Sequence, residues 1–191
     1  GNELYLNIEQ IIPTPEAKEL MIGISAKEAE EKNTDTEVKQ RHKVRTAFWE
    51  QALEAFRHSD CALYNNISPG RDHWLSAGSG ISGVVYNIIF AQKEARIELW
   101  LARTPAEDNK ALFDILAEQK AALETAFGQP FNWQRLDGKK SSRISVAQSF
   151  DGYNPDSWPA MTQWLVDNMS RFEQVMKQPL AQAWQQVRAG G

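Results

Sequence analysis

Cysteine is almost absent from this chain. A single Cys61 among 191 residues excludes an internal disulfide and any cysteine-rich zinc site, and it points to a reducing cytoplasm. Histidine is scarce too: only His42, His58 and His73 occur. The first two fall near opposite ends of one predicted helix, so no transition-metal cluster forms from them. No apolar run approaches the ~18 residues of a membrane helix, and no membrane span is expected. Positive charge is not in excess either. The net charge is −4 and the pI near 5.5, so contact with a polyanion needs a local basic patch. No nucleophile elbow or similar setting singles out a serine. We nominate no catalytic residue, no metal ligand and no cofactor.

What is present is a globular composition, 42% hydrophobic and 24% charged, in a chain long enough to bury a core without staples. Seven Trp supply large anchors for that core or for an interface. Residues 3–12 alternate, with Leu4, Leu6 and Ile8 on one side. Together with 20–24 they read as a hairpin. Residues 25–37 are charged and lack large apolar side chains, as a linker does. We therefore expect an N-terminal hairpin and linker over 1–37 and a separate domain over 38–191. The chain begins with Gly rather than Met, and we read it as a piece of a longer protein.

Within 38–191 the periods alternate between helix and strand. Val44, Phe48, Ala52 and Phe56 make one helical stripe over 38–58. Strands are predicted at 73–77, 84–91 and 95–102, the last alternating Ile97, Leu99 and Leu101 against Glu98 and Trp100. Thr104-Pro105-Ala106-Glu107 matches a capping box, and Gly128 stands where a helix ends. Strands at 132–136 and 143–148 follow, joined through Asp137-Gly138. A last helix opens at Asn154-Pro155-Asp156-Ser157 and runs to about residue 177, where Pro179 interrupts it. Strands joined by tight turns argue for an α+β fold. We expect a mainly antiparallel sheet of about five strands against two or three long helices, with Trp74 and Trp100 packed on the helices.

Two strings imitate known sites. Gly78-Ser79-Gly80-Ile81-Ser82-Gly83 fits G-x-G-x-x-G, but a dinucleotide site needs a helix after its glycines. Here β-branched and aromatic residues follow, so a loop between strands is expected. Asp137-Gly138-Lys139 fits half of a nuclease metal signature, with Glu98 its only plausible upstream partner. A hairpin turn explains the same letters. Basic surface remains: Arg135, Lys139, Lys140 and Arg143 surround one hairpin, and Arg71 lies before the first sheet strand. These five residues are the candidate nucleic-acid contacts.

Arg45-Thr46-Ala47-Phe48-Trp49, Trp74, Ile97-Glu98-Leu99-Trp100, the helix 109–127 closed by Gly128, Trp133-Gln134-Arg135-Leu136 and Ser142-Arg143-Ile144 form a further set. Together they resemble a bacterial domain of unknown function found C-terminal to restriction-endonuclease-like nuclease domains. The resemblance covers about 41–177 and carries no catalytic signature. It implies an accessory, non-catalytic domain of a DNA-processing or defence protein, with nucleic acid and an upstream nuclease-like domain as partners. It also implies that 3–24 are trailing strands of that upstream domain. A structural module, homodimeric through its Trp-rich helices, is the alternative; a metal-dependent nuclease is a third.

Overall fold

The computed structural model describes residues 34–190; the predicted N-terminal hairpin lies outside them. The chain divides into two units, Gly1–Arg41 and His42–Gly191, and the second carries the features described below. Its elements are helix α1 (Thr34–Arg57, whose first turns belong to the other unit), strands β1 (Trp74–Gly78), β2 (Val84–Phe90) and β3 (Glu94–Leu101), helices α2 (Ala106–Glu118) and α3 (Lys120–Phe127), strands β4 (Asn132–Gln134) and β5 (Ser142–Ser149), and helix α4 (Trp158–Gly190). The five strands form one antiparallel sheet in the order β1-β2-β3-β5-β4. The expected α+β architecture is what the chain adopts.

Strand parity sorts the side chains. Leu75, Ala77, Tyr86, Ile88, Phe90, Ile97, Leu99, Leu101 and Ile144 point to one face and are buried. The helices cover that face. Phe48 of α1 stacks on Phe90 at 4.1 Å, and Phe172 of α4 meets Tyr86, Phe127 and Phe131 edge-on. Burial of this continuous apolar layer is the main force holding the unit together.

Helix α4 runs unbroken through Pro179, where the sequence predicts an interruption. Its buried stripe of Met161, Leu165, Met169, Phe172, Met176, Leu180 and Ala183 keeps to steps of three or four past the proline. Packing of Leu180 and Ala183 offsets the single backbone bond that proline removes.

The capping box does not form. Pro105, not Thr104, occupies the cap position of α2, and no side chain caps it there. The Thr104 hydroxyl instead accepts from the Lys140 ammonium. Buried Asn109 takes over the junction: its Oδ1 accepts from the Arg103 N–H at 2.7 Å, and its Nδ2 donates to the Arg103 and Lys140 carbonyls. The long helix predicted after it is two helices, because Gln119 tightens the turn and donates to the Leu116 carbonyl. Gly128, left-handed at φ 95°, closes α3 as predicted.

The glycine string is a β1–β2 hairpin loop, with no helix after it. Gly83 has φ 78°, and a Cβ there would stand 2.9 Å from the Arg103 Cα. Close approach to the end of β3, not a pyrophosphate, accounts for this glycine. Strand β4 stops at Gln134 rather than residue 136, since Leu136 leaves the ladder at φ 57°.

Candidate functional site

None of the described helices lies on the opposite face of the sheet. The register sets its residues in three transverse rows. The first carries Trp74, Ile89, Arg96 and Ala147; the second Ser76, Asn87, Glu98, Ser145 and Asn132; the third Gly78, Val85, Trp100, Arg143 and Gln134. Trp74 and Trp100 therefore stand away from the helices, contrary to expectation. Both share strand parity with the polar row, and parity rather than hydrophobicity decides the face. Trp74 is 42% exposed, the one large hydrophobic side chain so exposed among the described residues.

Three side chains of the middle row, Ser76, Asn87 and Glu98, form a continuous hydrogen-bond chain. Ser76 Oγ donates to Asn87 Oδ1 at 2.6 Å, and Asn87 Nδ2 donates to Glu98 Oε1 at 3.0 Å. Arg96 Nε and an Arg143 guanidinium nitrogen reach Glu98 Oε2 at 3.1 and 3.4 Å. Glu98 is only 4% exposed and Asn87 6%. A buried carboxylate is costly unless paired, and here two cations and an amide bind it. Arg96 is also bound to Glu94 at 2.5 Å, and Arg143 Nε to Gln134 Oε1 at 2.7 Å. These bonds hold Ser76, Asn87, Glu98, Arg96 and Arg143 in one arrangement.

Above this floor lies a cavity of about 420 Å³ lined by Trp74, Ser76, Asn87, Arg96, Glu98, Trp100 and Arg143, with His73 and two aliphatic residues completing it. His73 meets Trp74 edge-on at 4.7 Å. Burial holds the His73 pKa below the usual 6.5, and the Arg45 and Arg96 charges push it the same way. Both effects favour the neutral form of the ring. A larger groove of about 630 Å³ runs between the end of α1 and α4, past His58, Asp60, Asp167 and Arg171. It has no aromatic lining, and its Arg171 is turned onto the Phe127 ring and carbonyl. The sheet cavity is the better-formed site.

The five predicted basic contacts do not gather into one patch. Arg135 is bound by both oxygens of Asp114 at 2.8 and 3.0 Å and also by Asp137. Its hydrogen bond holds the Asp114 pKa below the ordinary carboxylate value. Lys139 and Lys140 are exposed in the β4–β5 loop. Arg143 lies on the open sheet face, within the Glu98 network. Arg71 is exposed ahead of β1, at the opposite edge of the sheet from that loop. The nuclease-like letters do not assemble either: Asp137 pairs with Arg135 and Glu98 with two arginines. Among the described residues no group of three or more His, Cys, Asp or Glu could hold a metal ion.

Three Trp of α4 are engaged within their own chain. Trp158 Nε1 donates to the Gly152 carbonyl at 2.8 Å, Trp164 meets Phe150, and the Arg103 guanidinium lies 3.9 Å above the Trp184 ring. Sequence reasoning overlooked the Trp74–Trp100 pair as surface and Asn87 and Arg96 as site residues. Asn87 in the otherwise apolar run Val84–Phe90 was the available signal.

Fold and face together define a one-sided α+β sandwich, with the described helices on one side of its sheet and an open cavity on the other. The chain belongs to the family described as a domain of unknown function, DUF4268, whose model matches residues 44–180. That agrees in extent with the resemblance over about 41–177. No curated protein and no solved structure matches the chain. Among the described residues no helix is long and apolar enough to cross a membrane.

Proposed function

We propose that this domain is an accessory, non-catalytic module of a bacterial DNA-processing or restriction-type protein, and that its open sheet face holds single-stranded nucleic acid. The observation that carries this reading is the placement of Trp74 and Trp100 on one uncovered sheet face beside Arg96 and Arg143. Strand spacing puts the two Trp about 16 Å apart, two strands across and four residues along, far enough to stack separate bases. Stacking on exposed aromatic rings is how sheet domains hold unpaired bases without a groove. Exposed Lys139 and Lys140 extend the surface toward phosphates beyond β4. On this reading the protein works in the cytoplasm, and a nuclease-like domain is the partner it serves.

Fluorescence anisotropy with a labelled 12-nucleotide single strand at low salt tests the reading. Trp74→Ala should weaken binding about 5- to 150-fold, the loss expected for one stacked base. Changing Lys139 and Lys140 to Ala should flatten the salt dependence, by about 0.7 in log–log slope per lost phosphate contact. Absence of binding, or Trp74→Ala binding as tightly as the wild type, would overturn it. Self-association through exposed Trp74 is the competing use of this face, and light scattering over a concentration series separates the two.

A further inference from the structure

The charged groups lining the cavity between Trp74 and Trp100 are tied to one another rather than left open to a phosphate. The Arg96 and Arg143 guanidinium groups hold the Glu98 carboxylate, so an anion bound beside them meets a buried like charge. A neutral, planar ligand meets no such penalty. Glu98 Oε1 receives only the Asn87 bond and keeps acceptor capacity toward the cavity. An ionised carboxylate accepts and never donates, so the ligand must supply an N–H there. The Asn87 amide cannot turn to substitute, because Ser76 donates to its Oδ1 while its Nδ2 faces Glu98. A polar floor with one unspent acceptor, with an indole at either end, matches an aromatic heterocycle with an exocyclic amine.

We infer that this cavity is a base-selective subsite, in which the exocyclic amine of a nucleobase in a single strand donates to Glu98 Oε1. The inference rests on the reading of this face as a nucleic-acid surface and adds the chemistry of selection. Cytosine presents the N4 amine where uracil and thymine present the O4 acceptor. In the pose that sets the cytosine amine on Glu98, that acceptor meets a carboxylate oxygen with no proton between them, and the N3–H of uracil or thymine reaches it only if the ring shifts. A site built to receive an amine rejects an analogue lacking it, since its own polar group is left unpaired.

The test compares binding of the whole chain to 12-nucleotide oligomers of dC, dU and dT by anisotropy, the dU oligomer controlling for the thymine methyl. The expected result is dC at least about fivefold tighter than dU and dT, with the gap closing in Glu98→Gln, whose amide both donates and accepts. Glu98 also neutralises two arginines, so Ser76→Ala provides a second variant: it frees the Asn87 amide without touching the charges and should shrink the gap. Equal affinities for dC and dU in the wild type would overturn the subsite and leave the nucleic-acid surface standing. Binding of none of the oligomers would overturn both. A full dC preference surviving in both variants would remove Glu98 from the role.

Discussion

Lys110 holds the β4–β5 loop in place, and replacing it with Met removes that hold while keeping the aliphatic stem. Its ammonium on α2 donates to the carbonyls of Arg135, Leu136 and Ser141 at 2.6, 2.9 and 2.8 Å, with Ser142 Oγ at 3.2 Å. An ammonium carries three N–H groups, so the three carbonyls use all of them. Beyond Gln134 the chain leaves the ladder, Leu136 sits at φ 57°, and sheet pairing no longer serves these carbonyls. A hydrogen bond to a charged group contributes about 1.5–3 kcal/mol net when buried. Lys110 is half-buried, and water recovers part of each loss, which leaves about 1 kcal/mol per carbonyl, or about 3 kcal/mol in all. At this chain length that lowers Tm by about 6–12 °C. Urea denaturation should show a lower midpoint with an unchanged slope, and hydrogen exchange should accelerate in 135–141 but not in β2 or β3. Lys110→Arg should fall between, because a planar fork cannot aim three donors at one point. A Lys110→Met protein within about 0.5 kcal/mol of the wild type would refute the idea that this ammonium stands in for the ladder.

Three further outcomes follow from the same geometry. Phe172→Ala should cost about 3–5 kcal/mol by urea denaturation, since the ring touches Tyr86, Phe127 and Phe131 and is fully buried. Gly152→Ala would set a Cβ 2.1 Å from the Ala91 carbonyl oxygen; a destabilisation of about 1–3 kcal/mol or more is expected, measured as a fall in Tm. Glu124 accepts from the Phe131 N–H and the Trp133 indole, each at 2.9 Å, and these bonds hold its pKa below the usual 4.5. Its stabilisation is full above that value and is lost as pH falls through the lowered pKa. Glu124→Gln should therefore flatten the acid limb of stability without abolishing it, because Asp114 titrates in the same direction. An acid limb unchanged in Glu124→Gln would contradict the assignment.

The helix-facing layer was legible because one strand's alternation reports its own parity. Ile97, Leu99 and Leu101 against Glu98 and Trp100 is visible in eight residues of β3. Yet an indole is hydrophobic, and hydrophobicity argued for the helix side while parity argued against it; parity won, for Trp74 as for Trp100. The polar row was not legible, because Ser76, Asn87, Glu98, Ser145 and Asn132 become neighbours only through the register of four strand pairs. No local spacing carries that information. The capping box failed by a single residue, with Pro105 in the cap position and Thr104 turned to Lys140. Pro179 misled for a related reason: a local breaker was weighed without the stripe of Met176, Leu180 and Ala183 that continues through it. Of the basic residues, Arg135 was visible as charge, while its neutralising partner Asp114 lies on a helix 21 positions away.

Indole N–H resonances give the most direct test of the open sheet face as the working surface. Trp49, Trp133 and Trp158 donate to groups inside the fold, and Trp184 lies under Arg103, so four of the seven serve as internal references. On titration of nitrogen-15-labelled protein with the dC oligomer, the Trp74 and Trp100 signals should shift progressively while those four stay in place. Shifts confined to Trp158, Trp164 or Trp184, or indoles indifferent to oligomer that does bind, would contradict the account.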